Sequence, residues 1–336
     1  MRKSLKIMLV GMLIIGAQSS MLFAQGGAET ATKKMTLKLG FSSPESNPWY
    51  LCADEMAKEV SEKTDGNLNI ELFPSEILGS DKQMAEMIKM NTLDMQIAPQ
   101  GVVATYEPKL AALELPFLFD SNEAVAKLLD GPMGEELAKD LPKKGIRILA
   151  YWENGLRQTT NNVRPIVTPS DFKGMKIRTP DNKMTISIFQ ALGANPAPLA
   201  YSELYMALSQ GVFDGQENPV VNIHASKLNE VQQYISFTNH KYEGKPFIIS
   251  EATWKKLSPE YQQILKEAAQ KYAVKNRAMF AEQDKELRAD LEAKGMKLNT
   301  PDLAPFREAT ASVYDEWKAT LGEDLVNRVV KAAQAN

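Results

Sequence analysis

Apolar residues in the first third of the chain follow two different periods, which predict strands and helices in turn. Residues 35–41 and 67–72 alternate apolar with polar or small side chains, a period of two that is typical of strands. Residues 49–63 lie between them and carry apolar side chains at helical spacing. A helix over 81–90 and a strand over 95–98 follow. This order predicts an α/β lobe built on a largely parallel sheet.

The same order of elements returns farther along the chain. Residues 146–151 are predicted to be a strand, and a crossing into a second lobe is predicted at Asn161. A strand over 175–178 and helices over 185–192 and 202–210 follow. Because a chain of this length exceeds what one hydrophobic core usually supports, the sequence predicts two α/β lobes.

One uninterrupted helical pattern lies toward the C-terminal end of the chain. Ser258 and Pro259 form a helix-start signal, and neither proline nor glycine occurs after them until Gly295. At 1.5 Å per residue such a helix is about 50 Å long, which is more than one lobe needs. We expect it to touch both lobes, and a helical hairpin packed on one lobe is the alternative.

The N-terminal residues have the composition of an export signal. Charged residues within 1–6 precede an apolar run over 7–17 and a small residue, Ala24, at a plausible cleavage point. The apolar run is shorter than the roughly 20 residues that a membrane span needs, so residues 1–24 are predicted to be a cleaved secretory signal peptide. Residues 25–34 are small and polar and are expected to form a flexible tether. The protein is therefore expected in the periplasm.

Composition argues against several classes of function. Cys52 is the only cysteine, so no internal disulfide can form, and His224 and His240 provide too few ligands for a structural zinc ion. The formal net charge of −3 and the lack of a basic stripe argue against a nucleic-acid partner. We therefore expect neither a metal nor another cofactor.

Two arginines on neighbouring segments are the strongest candidates for a binding site. Arg157 and Arg178 are followed by Asn218. Two guanidiniums and an amide suit the capture of a small carboxylate, because a guanidinium offers a planar fork of donors. Ordinary surface salt bridges are the alternative for each arginine. Asp214 and Glu217 could instead form an acid and base pair, which leaves a secreted carbohydrate-active enzyme as the alternative class.

Several ordered motifs closely resemble those of the solute-binding proteins of TRAP transporters. They are KGMKIRTP at 173–180, ALGANP at 191–196, YSELYMAL at 201–208, GVFDGQENP at 211–219, LELPFLF at 113–119, GSD at 79–81 and TNH at 238–240. The resemblance covers nearly the whole chain after the predicted signal peptide. It implies a two-lobed periplasmic binding protein with a cleft between α/β lobes, crossing strands and a long hinge-spanning helix.

The resemblance also implies a division into lobes and a partner. The first lobe is expected to comprise residues 35–154 and 243–282, and the second lobe residues 155–242 and 283–336. A monomer is expected to close on its ligand and to deliver it to the membrane subunits of a TRAP transporter. The protein itself would catalyse nothing.

Specific roles for site residues follow from the same resemblance. Arg178 is expected to form the central salt bridge with a ligand carboxylate, and Arg157 to support it from the strand that links the lobes. Asn218 would donate an amide hydrogen bond to that carboxylate, and Tyr201 would close over the ligand. Asn239, at the second crossing between the lobes, is a further candidate ligand-binding residue.

The identity of the ligand depends on the loops around the expected cleft. These loops carry no obvious second cationic centre, which a C4-dicarboxylate would need. Acceptors and amides at Asn47, Gln100 and Glu153 suit ligand hydroxyls, and Trp49 or Tyr201 suits an apolar ligand face. A sugar acid such as a uronate is therefore favoured over a C4-dicarboxylate or another organic acid.

Overall fold

The computed structural model of the protein describes residues 34–119 and 121–334. The predicted signal peptide at 1–24 lies outside the described residues, as does the predicted tether except for Lys34. Within the described ranges, no helix combines the length and the apolar character that crossing a membrane requires.

Eleven strands and thirteen α-helices form the described part of the chain. The strands are β1 (Met35–Gly40), β2 (Leu68–Phe73), β3 (Met95–Ile97), β4 (Ile146–Leu156), β5 (Gln158–Asn161), β6 (Lys176–Thr179), β7 (Asn195–Pro198), β8 (Gly215–Asn218), β9 (Tyr234–Ser236), β10 (Tyr242–Ser250) and β11 (Lys297–Asn299). The helices are α1 (Pro48–Lys63), α2 (Asp81–Lys89), α3 (Gln100–Ala104), α4 (Asn122–Leu129), α5 (Pro132–Ala138), α6 (Lys183–Ala191), α7 (Leu204–Ser209), α8 (Val220–Ala225), α9 (Glu251–Lys256), α10 (Pro259–Ala293), α11 (Ala304–Ala309), α12 (Ala311–Leu321) and α13 (Glu323–Gln334). Short 3-10 turns lie at Pro108–Glu114, Leu141–Lys144, Pro169–Phe172, Tyr201–Glu203 and Leu228–Glu230.

Two separate sheets confirm the predicted α/β fold with two lobes. The sheet of the first lobe has the order β2-β1-β3-β10-β4, and that of the second lobe has the order β11-β9-β5-β8-β6-β7. In the first sheet β1 runs parallel to β2 and β3, as predicted, but β10 is antiparallel to both of its neighbours. The antiparallel strand arises because the chain re-enters the first lobe from the second.

Two crossings carry the chain between the lobes. In the first crossing, β4 continues into β5 with only Arg157 between the two strands, and in the second, residues 237–241 join β9 to β10. The Arg157 backbone N–H donates to the Lys241 carbonyl at 2.9 Å, so the crossings are bonded to each other. Arg157 therefore lies at the junction of the two lobes, between the sheets.

The predicted long helix is confirmed as α10, which has 35 residues. Its first turn is capped by the Ser258 hydroxyl, which accepts a hydrogen bond from the Tyr261 backbone N–H at 3.2 Å, and Pro259 occupies the first helical position. The helix packs against α1 and β4 of the first lobe and against α8 of the second. The alternative of a hairpin on one lobe is therefore wrong.

The three C-terminal helices contact elements of both lobes. The Tyr314 hydroxyl donates to the Pro116 carbonyl at 2.8 Å, and Glu316 accepts a hydrogen bond from the Ser187 hydroxyl of α6 at 2.9 Å. Phe306 of α11 is fully buried and meets Phe172 edge to face. One continuous apolar core therefore extends from the first lobe, through the C-terminal helices, to α6.

Candidate ligand-binding site

A cavity of about 290 Å³ lies between the two sheets and takes its walls from both lobes. Five of the nine residues that the sequence identifies as candidates line it: Trp49, Arg157, Arg178, Tyr201 and Asn218. The wall of the cavity also includes Ser42, Ser43, Glu76, Asp81, Lys82, Asn154, Asp181, Asn222, Glu243 and Lys245. Two cationic side chains in this wall, Arg178 and Lys245, are buried and form no ion pair with a carboxylate of the described residues.

Arg178 reaches the cavity from β6 and is only 2% exposed. Its Nε and Nη2 donate to the Leu199 carbonyl, and no ion pair joins it to a carboxylate of the described residues. Burial lowers the pKa of Arg178 to about 10, which the charge of Glu217 only partly opposes. A desolvated cation without a partner is costly, so this position favours an anion in the cavity.

Arg157 is equally buried but is fully paired with protein groups. Its Nε and Nη2 bind the Glu217 carboxylate, its Nη1 donates to Glu243 Oε2 at 2.6 Å, and its Nη2 also donates to Asn218 Oδ1 at 3.1 Å. Burial alone would lower the pKa of Arg157, but the two carboxylates raise it above its ordinary value. Arg157 therefore contributes structure to the site, and its contact with a ligand stays a prediction.

The carboxylate of Glu217 is held ionised by its neighbours. Burial would raise the pKa of Glu217, but Arg157 and a hydrogen bond from His240 lower it far below its ordinary value. His240 Nε2 lies 3.1 Å from Glu217 Oε2, and burial lowers the pKa of this histidine. Asp214 is instead a turn residue, because its carboxylate accepts the Lys176 backbone N–H at 2.7 Å. Neither carboxylate is arranged as a free acid or base.

A chain of amides links the lobes behind the cavity. The Asn47 amide donates to Asn222 Oδ1 at 2.9 Å, Asn222 donates to Asn154 Oδ1 at 2.8 Å, and Asn154 donates to Glu243. Asn47 is fully buried and does not line the cavity, while Asn154 and Asn222 do. Asn47 therefore does not face the cavity itself but orients the amide of Asn222, which does.

Three further candidates lie outside the cavity lining. Successive side chains of a strand point to opposite faces, so on β4 Asn154 lines the cavity and Glu153 does not. The Gln100 amide donates to the Leu110 carbonyl at 3.2 Å. Its Oε1 packs against Gly244, so closely that a Cβ added at Gly244 would lie 2.9 Å from it. Asn239 has a positive φ of 42° on the second crossing, and its Oδ1 accepts from Gln158.

Contacts between the lobes also surround the cavity mouth. Lys82 and Asp181 pair at 2.8 Å, and Glu76 Oε2 accepts the Ser202 backbone N–H at 2.8 Å. At Gly101 a Cβ would come within 2.0 Å of Asn182 Nδ2, so only glycine permits this approach of α3 to the start of α6. The lobes therefore touch along one side of the cavity.

Lys245, Glu76 and Asp81 line the cavity but were not predicted from the sequence. Lys245 lies on β10, where every residue is buried, and its Nζ lies 4.4 Å from the centroid of the Trp49 ring. A lysine within an otherwise largely apolar strand was the available signal. Glu76 lies in the turn after β2 and Asp81 is the first residue of α2, and acidic residues are common at both kinds of position.

Replacing Glu153 with glutamine should stabilise the protein at alkaline pH. Burial raises the pKa of Glu153 to about 8, although Tyr242 and Arg277 oppose the rise. Because the folded state keeps a proton that the unfolded state releases, the free energy of unfolding of the wild type should fall as pH rises from about 4.5 to about 8. Glu153→Gln removes this loss, so urea unfolding at pH 8.5 should show a gain of about 4 kcal/mol that disappears near pH 4.5.

The control for this change is Glu286→Gln, which removes a carboxylate from the exposed side of α10. It should leave the free energy of unfolding within about 0.5 kcal/mol of wild type at both pH values. A Glu153→Gln protein that is less stable than wild type at pH 8.5 would contradict a protonated Glu153.

Comparison with known proteins places this geometry in a family. The model of the family described as bacterial extracellular solute-binding protein, family 7, matches residues 39–320. The uncharacterised protein y4mM of Sinorhizobium fredii is 41% identical over 288 residues, which are 85% of this chain and 53% of that protein. The chain thus spans about half the length of y4mM. The 2,3-diketo-L-gulonate-binding periplasmic protein YiaO of Escherichia coli is 34% identical over 292 residues, 86% of this chain and 89% of that protein.

Solved structures agree with the family match. A TRAP periplasmic solute-binding protein from Polaromonas bound to D-erythronate has a TM-score of 0.86 at 33% identity and covers 88% of this chain and 98% of its own. The sugar acid binding protein of Advenella mimigardefordensis with galactonate has a TM-score of 0.87 at 30% identity, with 90% and 99% covered. A TRAP solute-binding protein from Roseobacter denitrificans with β-D-glucuronate has a TM-score of 0.85 at 30% identity, with 90% and 100% covered.

Proposed function

The chain belongs to family 7 of the bacterial extracellular solute-binding proteins, and from this premise we propose that it captures a monocarboxylic sugar acid in the periplasm for a TRAP transporter. The observation that carries this proposal is Arg178, a buried guanidinium that faces the cavity and pairs with no carboxylate in the part of the chain that the structure describes. A ligand carboxylate supplies the missing charge and accepts from the planar guanidinium.

The remaining wall of the cavity suits hydroxyl groups. Ser42, Ser43, Asn154 and Asn222 place hydroxyls and amides around it, and such groups both donate and accept. Erythronate, galactonate and glucuronate, which occupy three similar proteins, each combine one carboxylate with several hydroxyls. These ligands therefore support a sugar acid for this chain as well.

Roles for the other lining residues belong to the same proposal. Asn218 donates an amide N–H to the ligand carboxylate, with its Oδ1 already held by Arg157. Tyr201 and Trp49 both line the cavity, and either ring covers an apolar face of the ligand. The Tyr201 ring is held in place by its hydroxyl, which lies 2.7 Å from the Ser226 hydroxyl.

We also propose the biological setting that the sequence implies. The relatives are binding proteins, which supports a receptor that catalyses nothing and hands its ligand to TRAP membrane subunits. The protein acts as a monomer whose lobes comprise residues 35–154 with 243–282 and residues 155–242 with 283–336. Residues 1–24 direct its export and are then cleaved off.

A thermal-shift screen tests the ligand class. Galactonate, erythronate, glucuronate and galacturonate should raise the melting temperature, because a ligand that binds only the folded state stabilises it by mass action. Succinate, malate, simple keto acids and amino acids should give little shift. Galactose and glucose, which keep the hydroxyls but lack the carboxylate, are the matched controls and should give none.

Two outcomes of the screen separate the parts of the proposal. Stabilisation by succinate or malate with none by any sugar acid would overturn the sugar-acid assignment and leave the receptor function intact. Stabilisation by neutral sugars equal to that by the sugar acids would contradict the role of Arg178 as the anion site.

A further inference from the structure

We propose that Lys245, Asp81 and Glu76 form a second polar site in the cavity that binds vicinal hydroxyls of the ligand, and we name this group the hydroxyl site. It rests on the proposed function and adds the feature that decides between sugar acids and dicarboxylates. Lys245 and Asp81 belong to the first lobe, whereas Arg178 belongs to the second. A ligand that reaches both sites therefore contacts both lobes.

Lys245 is the observation that points to a ligand. It is 4% exposed, it lines the cavity, and its Nζ makes no hydrogen bond or ion pair with any residue in the described ranges. Its one close partner is the face of Trp49, which offers a cation–π contact but no lone pair. An ammonium has three N–H donors, so this buried group lacks acceptors that a ligand can provide.

Two carboxylates stand near Lys245 without pairing with it. Asp81 and Glu76 line the same cavity, and no carboxylate oxygen of the described residues comes within 4.0 Å of the Lys245 Nζ. Burial raises the pKa of Asp81 to about 6, with the charge of Lys245 opposing the rise, and burial lowers the pKa of Lys245, with Asp81 opposing that change. Asp81 and Lys245 therefore interact electrostatically although they do not form an ion pair.

Those two carboxylates are held in place by protein donors. Glu76 accepts the Asp81 backbone N–H at 3.1 Å and the Ser202 backbone N–H at 2.8 Å. Gln96 donates to Asp81 Oδ1 at 3.3 Å and to the Asp81 carbonyl at 3.0 Å. Each carboxylate still has lone pairs left for a donor in the cavity, since an ionised carboxylate accepts about four hydrogen bonds.

The combination of one donor and two acceptors selects the chemistry of the bound group. A hydroxyl accepts from the ammonium and donates to a carboxylate at the same time, and neighbouring hydroxyls on adjacent carbons do so twice. A second ligand carboxylate can only accept, and it would also be repelled by Asp81 and Glu76. The site therefore suits a polyhydroxylated acid and disfavours a dicarboxylate, although it contains a cation.

Calorimetric titration of Lys245→Met tests this assignment. At pH 7.5 the variant should bind D-galactonate about 30-fold more weakly than wild type, because the ligand hydroxyls lose a charged donor. Binding of 2-hydroxybutanoate, which keeps the carboxylate but lacks the distal hydroxyls, should change by less than about threefold. Lys256→Met, which removes an exposed lysine at the end of α9 outside the cavity lining, is the matched control and should keep galactonate affinity within about threefold.

A second variant distinguishes hydroxyl binding from a second carboxylate site. Asp81→Asn keeps the shape of the side chain but removes its charge, so it should weaken galactonate and strengthen glutarate, whose second carboxylate is then repelled less. The melting temperature of each variant without ligand checks that it folds. Lys245→Met should not lower it, because the change removes an unpaired buried charge.

The possible results separate the hydroxyl site from the proposed function. If wild type binds galactonate and Lys245→Met binds it equally well, the hydroxyl site is overturned and the sugar-acid function stands. If wild type binds glutarate more tightly than galactonate, and Lys245→Met abolishes that binding, Lys245 is a second carboxylate site and both assignments fall. If wild type binds no sugar acid, the function fails and the hydroxyl site fails with it.

Discussion

Replacing Arg178 with alanine should weaken the binding of galactonate or glucuronate by between about 30-fold and several thousand-fold. Truncating one partner of a desolvated, hydrogen-bonded charge pair typically costs about 2–5 kcal/mol, because the other charge is left buried and unpaired. Here the unpaired group would be the ligand carboxylate, since Arg178 has no protein carboxylate to release. Calorimetric titration measures the change directly.

Arg178→Lys sharpens this prediction. A lysine keeps the charge but loses the planar fork of donors, so affinity should fall well below wild type and remain above that of Arg178→Ala. Arg328→Ala is the control, because it removes an exposed guanidinium on α13 that pairs with Glu136 and Asp324 far along the chain from the cavity residues. An affinity of Arg178→Ala within about threefold of wild type would show that another group holds the carboxylate.

Replacing Arg157 with methionine should lower the free energy of unfolding by about 3–5 kcal/mol. The change leaves the carboxylates of Glu217 and Glu243 buried without their main counter-charge, and breaking a buried ion pair from one side has an effect of this size. Chemical denaturation with urea, in the absence of ligand, gives the value. Adding Glu217→Gln to Arg157→Met should restore part of the loss, because the unpaired charge is removed.

Arg178→Met is the matched control for that experiment. Both arginines are 2% exposed and both face the cavity, but only Arg157 pairs with carboxylates. Arg178→Met should therefore leave stability unchanged or slightly higher while it weakens ligand binding at least about 30-fold. Equal losses of stability in the two variants would contradict the assignment of Arg157 as structural and of Arg178 as ligand-binding.

The sequence carried enough information to locate Arg157, Arg178 and Trp49, but not the lysine and the acidic residues of the first-lobe wall. Arg157 and Arg178 stand out because guanidiniums next to an asparagine suit a carboxylate wherever the chain places them. The helix α10 was readable from its cap and from the lack of glycine and proline. These signals are local, so they can be recognised without knowledge of the tertiary structure.

Residues placed by long-range pairing were harder to predict. Glu153 and Asn154 are neighbours in sequence, and only the register of β4 decides which of them faces the cavity. Lys245 reaches the cavity because β10 inserts between β3 and β4, and no local pattern reveals these pairings, which are distant in sequence. The loop sequences around the cleft therefore give no indication of Lys245, the second buried cation.

The position of β10 also constrains the order in which the protein can fold. Among the described strands of the first sheet, β4 pairs with β10 alone, so β4 cannot join that sheet until the chain has been made through β10. Pairings that are so distant in sequence form slowly, because the loop between the strands must be closed first. A nascent chain of this topology stays incompletely folded through most of its synthesis, which is the state in which a polypeptide can still be threaded through a membrane channel.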